Sequence, residues 1–126
     1  MTEDDRRKLG ARSERIAARY LRRRGLRILE INHRCRLGEI DIVAKDGATV
    51  VFVEVKSKRG GERGRPEEMI TAAKRRKLTD LASSYLSRRG WRRGPARFDV
   101  VTILWGEGRK RKLNYYRNAF DAEGGW

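Results

Sequence analysis

Cysteine occurs once in the sequence, as Cys35, and histidine once, as His33. One thiol cannot close an internal disulfide, and one Cys with one His falls short of a zinc ligand set. Proline occurs twice and no stretch is rich in Pro or Ser, so no linker is readable and a single domain over residues 1–126 is expected. Long apolar runs are missing as well. The longest aliphatic and aromatic run is Val50–Val53, far below the roughly 18 residues that a membrane span needs. The opening Met-Thr-Glu-Asp-Asp is acidic and lacks the apolar core of a secretory signal. A reducing, cytoplasmic setting without a membrane partner is the expectation.

Acidic residues are the other scarcity. Seventeen Asp and Glu face 32 Lys and Arg, a formal net charge of +15. Charged residues reach 39%, against about 25% in an average globular protein. The hydrophobic fraction is nevertheless 38% with 13 Gly besides. Charge has replaced neutral polar residues and left enough apolar material for a core. A folded domain with such a field attracts polyanions, nucleic acid first among them.

Periodicity places the elements. Leu9, Ser13, Ile16, Ala17, Tyr20 and Leu21 form one stripe of a helix over residues 4–24, with Arg22–Arg24 in its last turn and Gly25 beyond. Residues 27–33 suit a short strand. Leu37–Lys45 and Ala48–Ser57 are Val- and Ile-rich runs joined by Asp46-Gly47, a hairpin signal. Lys58–Arg65 reads as a basic loop. Pro66, Glu67 and Glu68 suit the start of a second helix that ends near Arg89 and Gly90. Phe98–Trp105 is a fourth strand, and Leu113–Arg117 suits a last one. The fold class is mixed α/β.

With Asp46-Gly47 as the two turn residues, opposed positions on the hairpin sum to 93 and put Asp41 across from Phe52 and Glu39 from Glu54. Alternation then gathers Glu39, Asp41 and Val43 with Val50, Phe52, Glu54 and Lys56 on one face. Asp41 and Glu54 become diagonal neighbours, roughly 7 Å apart at Cβ. Two carboxylates at that spacing suit a hard divalent cation such as Mg2+ or Mn2+, and Lys56 points the same way. Such charges are equally the mark of a solvated sheet face with weak cross-strand pairs. Val43, Val50 and Phe52 on the same face argue for partial burial, which is costly for an unpaired charge.

The surroundings are basic. Residues 6–27 hold ten Arg or Lys and one acid, Glu14, whereas residues 36–56 carry a net −1. Glu14 lies on the flank of the first helix's stripe, either solvated among arginines or leaning toward the hairpin. Lys74 falls at the centre of the second helix's stripe of Ile70, Ala73, Leu78, Leu81, Ala82 and Tyr85, where it either snorkels or meets an anion. Phosphate contacts are expected from Arg6, Arg7, Lys8 and Arg12, from Lys58, Arg59, Arg63 and Arg65, and from Arg75 and Arg76.

Glu39-Ile40-Asp41 followed by Val53-Glu54-Val55-Lys56 resembles the Asp…Glu-x-Lys motif of the restriction-endonuclease-like, PD-(D/E)xK, superfamily. Ile40 stands where the superfamily name has Pro. Gly38–Asp41, Phe52–Lys56, Arg97–Val101 and Asn118–Phe120 together resemble the YraN-type family of uncharacterised bacterial proteins, over roughly residues 9–120. That family is similar to archaeal Holliday-junction resolvases. The resemblance implies an αβββαβ core with a central mixed sheet flanked by helices. It also implies Asp41 and Glu54 as ligands of Mg2+ or Mn2+, and Lys56 as the group that orients water or steadies charge. Glu14 and Lys74 take the matching helical positions. The implied activity is metal-dependent cleavage of phosphodiester bonds in branched or structured DNA, with two active sites paired in a homodimer. A non-catalytic nucleic-acid-binding module on the same fold is the alternative. DNA is favoured over RNA because no RNP-type aromatic pattern occurs.

Overall fold

The computed structural model describes residues 2–59, 70–91, 94–108 and 110–123. Helix α1 spans Glu3–Arg23 and opens on a capping box: the Asp5 N–H donates to Thr2 Oγ1 at 3.1 Å, and the Thr2 N–H donates to Asp5 Oδ2 at 3.0 Å. Strands β1 (Arg27–Cys35), β2 (Gly38–Asp46) and β3 (Thr49–Arg59) follow, then helix α2 (Ala72–Arg88) and strands β4 (Ala96–Trp105) and β5 (Arg111–Phe120). They form one five-stranded sheet in the order β1-β2-β3-β4-β5, parallel between β3 and β4 and antiparallel elsewhere. The αβββαβ order is that of a restriction-endonuclease-like core, with β5 added at its edge.

Each face of the sheet carries one helix. Ala17, Ala18 and Leu21 of α1 pack with Ile42, Ala44, Val51, Val53, Val101 and Ile103. Leu78, Leu81, Ala82 and Tyr85 of α2 pack with Val43, Val50, Phe52, Phe98 and Val100. The central strands are therefore buried on both sides, which is why β3 and β4 read as nearly continuous Val and Ile.

Two expectations need correcting. The hairpin register sums to 95, with Val43 opposite Phe52 and Asp46 opposite Thr49, so Asp41 is not across from Phe52. Gly47 and Ala48 make the turn, and Gly47, at φ +60°, takes its first central position. A turn with positive φ only there favours Gly at that place and moves the pairing by two. Parity survives the change, so no side chain is flipped by it. The second correction concerns α2, which is capped by Thr71 rather than started at Pro66; Thr71 Oγ1 accepts from the Lys74 N–H at 3.2 Å. Residues 66–69 lie outside the described residues. Ala73, placed on the apolar stripe by periodicity, is exposed, while Thr79 and Leu86 are buried instead.

Both edge strands are interrupted. The register slips between Ile28 and Glu30 on β1 and between Phe98 and Val100 on β4 against β5. Asn32 and Asn118 sit at φ +59° and +51°, where Asn is the least strained residue after Gly.

The only fully buried carboxylate among the described residues is Asp99, 0% exposed at the centre of β4. Arg97 Nε donates to Asp99 Oδ1 at 3.0 Å, the Asn118 N–H donates to the same oxygen at 2.8 Å, and the Tyr115 hydroxyl donates to Oδ2. Arg97 also meets Asp46 at 3.0 Å, tying the hairpin end to β4. Burial and the Asp99 carboxylate raise the Tyr115 pKa to about 12, so this hydroxyl stays protonated. Asp99 is a structural anchor. Its replacement by Ala leaves Arg97 and the Asn118 N–H short of an acceptor and is expected to cost about 3–5 kcal/mol, whereas Tyr115→Phe should cost about 1. Denaturant titration of both variants checks the ratio.

Candidate active site

The site arises where β2 and β3 part. Their pairing ends at Ile42 opposite Val53, while β2 continues along β1 to Gly38 and β3 continues along β4 to Arg59. The Val55 N–H faces the resulting fork, and Asp41 Oδ2 accepts from it at 2.8 Å. Strict alternation would seat Asp41 on one face beside Val43. The structure instead sets it in the fork beyond the last pair of β2 and β3, near Glu14 of α1 and lining a hollow with Lys74 of α2. Ile40 accordingly packs in the same cluster as Val43 and Leu81.

From the α1 side, Glu14 approaches. Glu14, Glu39 and Asp41 each present an acidic oxygen within 4.8 Å of the other two. Hard oxygen donors at such spacing are the type that magnesium and manganese accept. From the α2 side come the cations. Lys74 Nζ lies 2.7 Å from Glu54 Oε1, and Lys56 Nζ lies 3.5 Å from the same oxygen. A cavity of about 320 Å³ opens here, lined by Glu39, Asp41, Glu54, Lys74, Lys77 and Leu81 among others. Glu54 is 9% exposed, so its charge is largely withdrawn from water and needs these ammonium groups.

Electrostatics follows from that crowding. Burial, with the Glu54 charge next, pushes the Asp41 carboxyl up to about 8, although the Val55 N–H pulls it down. Burial and the Glu39 charge raise Glu14 as well. Burial and the adjacent Lys74 lower the Lys56 pKa against the pull of Glu54. For Lys74 burial acts the other way from its hydrogen bond to Glu54, and the bond prevails, raising its pKa. A proton or a cation is what this cluster of acids lacks.

Of the residues singled out by sequence, Asp41, Glu54, Lys56, Glu14 and Lys74 are brought together. Glu39, which alternation groups with Asp41 and Glu54 but to which the resemblance gives no role, joins them. That alternation was the available signal, and Glu39 is exposed on β2 opposite Arg34. The Ser13 hydroxyl donates to Ser57 Oγ at 3.0 Å and fastens α1 to β3 beside Glu14 and Lys56. Nothing in the pattern distinguished this pair.

The basic residues disperse. Arg6, Arg7, Lys8 and Arg12 are exposed on α1, with Lys8 paired to Asp4 at 3.2 Å. Lys58 and Arg59, expected in a loop, end β3 opposite Leu104 and Trp105. Arg76 is exposed, and Arg75 lies over the Phe120 ring at 5.5 Å. Arg63 and Arg65 lie outside the described residues.

A five-stranded mixed sheet with a helix on each face and an acidic fork with two lysines defines a restriction-endonuclease-like α/β domain. The chain belongs to the family described as "Uncharacterised protein family UPF0102", which matches residues 13–103. It is 47% identical over 118 residues to a UPF0102 protein of Pelotomaculum thermopropionicum, covering 93% of this chain and 98% of that protein. It is also 47% identical over 116 residues to one of Symbiobacterium thermophilum, covering 92% and 98%. A third, from Anaeromyxobacter dehalogenans, is 41% identical over 121 residues, covering 96% and 90%.

The raised Asp41 carboxyl has a signed consequence. An acid that holds its proton more tightly folded than unfolded favours folding at low pH, and that contribution is lost as pH rises from its unfolded value toward about 8. Asp41→Asn keeps an acceptor for the Val55 N–H and removes the charge. In protein freed of divalent ions it should raise Tm, and the gain should widen between pH about 5 and about 8. Thermal melts across that range test the sign.

Proposed function

We propose that this protein is a Mg2+- or Mn2+-dependent endonuclease that hydrolyses phosphodiester bonds, acting on branched or structured DNA. The observation that carries the reading is the fork itself: the buried Glu54 and the half-buried Asp41, with Lys56 and Lys74 beside them. These lie in an acidic hollow on a chain of net charge +15. Phosphodiester hydrolysis needs a site that collects phosphate while concentrating compensating charge at one point.

Asp41 and Glu54 would hold the ion, with Glu14 and Glu39 in reach to add oxygens or anchor its waters. The chemistry it supplies when bound is polarisation of a phosphoryl oxygen and acidification of water. Lys56 donates hydrogen bonds to the attacking water or to the oxygen on which charge develops. Burial and the neighbouring Lys74 lower its pKa, which eases release of its proton. Lys74 neutralises Glu54, and with an ion held there it would be free to meet a phosphate. The arginines of α1 hold the flanking backbone.

A second reading, a non-catalytic nucleic-acid-binding module, is favoured by one contact. Lys74 at 2.7 Å already satisfies Glu54 without any ion.

Two variants separate these. Glu54→Gln should abolish metal-dependent nicking of a branched substrate and weaken manganese binding in calorimetry, while DNA binding holds or tightens. Lys56→Ala should also stop nicking but leave manganese affinity nearly unchanged. Unaltered metal binding in Glu54→Gln overturns the coordination scheme, and wild-type protein that nicks no branched or linear DNA favours the binding module.

DNA affinity should be governed by salt. With six to ten phosphate contacts, it should fall by roughly 10³–10⁵ between 50 and 200 mM salt. A flat response in fluorescence anisotropy would assign the positive charge to solubility instead.

A further inference from the structure

A second hollow lies apart from the acids. It has a volume of about 700 Å³ and is bounded by Leu9 and Arg12 of α1, Arg59 at the end of β3, and Trp105, Gly106 and Glu107 where β4 gives way to the turn before β5. Its floor is firmly built. The Trp105 indole is 8% exposed, and its Nε1–H donates to Ser57 Oγ at 2.8 Å. Ser57 accepts from Ser13 as well, so the floor is tied to both α1 and β3. Arg12 is held over the indole, 5.1 Å from guanidinium to ring centroid, which limits the orientations the guanidinium must lose on meeting a ligand.

We infer that this hollow receives one unpaired nucleotide of the DNA strand whose phosphodiester lies at the acidic fork. The placement part of this inference rests on the nuclease reading; the binding part does not.

Four features carry it. The volume exceeds what a bare phosphate needs and falls in the range of small-ligand sites, about 300–1,000 Å³. Its chemistry is that of a nucleotide: two guanidinium groups for phosphate, Leu9 and the indole for an apolar ring, and Glu107 as an acceptor for a base amino group. Third, the distance suits a continuous strand. Arg59 is three residues beyond Lys56 on β3, about 10 Å at roughly 3.3 Å per residue. That equals about three base-pair steps of stacked duplex measured along its axis at roughly 3.4 Å each, and fewer nucleotides of an extended unpaired strand. Fourth, a base still paired in a duplex cannot enter a concave site bounded by a helix and a turn, so only an unpaired or extruded nucleotide fits.

The test is fluorescence anisotropy without divalent ions, on a short blunt DNA duplex and on the same duplex with a single-stranded thymidine tail. Wild-type protein should bind the tailed duplex roughly tenfold more tightly or better, the worth of one captured base. Leu9→Trp fills the hollow without changing charge and should remove that preference while blunt-duplex affinity holds. Arg59→Gln, at an exposed strand end, should reduce the preference too and serves should Leu9→Trp fail to fold. Equal affinity of the wild type for both duplexes overturns the inference, as does an undiminished preference in folded Leu9→Trp or in Arg59→Gln. A protein that nicks DNA yet shows no tail preference loses this inference alone. One that shows the preference yet never nicks loses the nuclease reading and with it the placement of the strand, and keeps the binding part.

Discussion

Desolvation of β3 governs this structure. The strand is covered by a helix on each face and bonded to β4 along its whole length, so apolar side chains are demanded nearly everywhere on it. Where β2 leaves, that demand is broken by Glu54 and Lys56. Charges in such surroundings are expensive unless each meets a counterpart. The cost is offset by Lys74 from one helix and by the opening of the fork to water through a modest cavity. Asp41 contributes in another way, by accepting a backbone N–H that the departing strand no longer serves.

The same low-dielectric surroundings make the acids responsive. Coulomb effects that would be small in water become large between side chains withdrawn from it. Asp41 therefore resists losing its proton, and Glu14 shares the tendency. A cluster that is short of positive charge has an unmet preference, and the nature of the chemistry follows from what can satisfy it.

Much of the fold was legible because β3 and β4 are covered on both sides: unbroken runs such as Val50–Val53 admit few other readings. The order of elements followed from those runs and from the amphipathic stripe of α1. The hairpin register was misjudged by two residues, since Asp46-Gly47-Ala48 leaves the glycine free to occupy either central position of a turn. A shift of two preserves alternation along the paired stretch from Ile42 to Asp46, but beyond it Ile40 joins the cluster of Val43 and Asp41 departs from the pattern. Glu14, Asp41, Glu54, Lys56 and Lys74 could be gathered from spacing and resemblance, and alternation set Glu39 on the same face without giving it a role. That Glu14, Glu39 and Asp41 bring oxygens within 4.8 Å of one another depends on α1 meeting the place where β2 and β3 part, a tertiary event that alternation does not encode. Asp99 owes much of its anchoring role to groups that its own strand does not carry. Its partners, Tyr115 and Asn118, stand on a strand whose register slips beside it.

The interrupted edges of the sheet bear on assembly. A strand that carries Asn32 or Asn118 in a left-handed conformation cannot offer an evenly spaced ladder to a newcomer. Exposed Arg27 and Arg34 on β1, and Arg111, Lys112 and Arg117 on β5, would further set like charges against each other if two sheets met edge to edge. The sheet is in effect a finished object with no growing end. Any pairing of two such molecules would then be written in helices, turns or a shared nucleic acid, and two sites brought together by the substrate would be spaced by its geometry rather than by the protein's own.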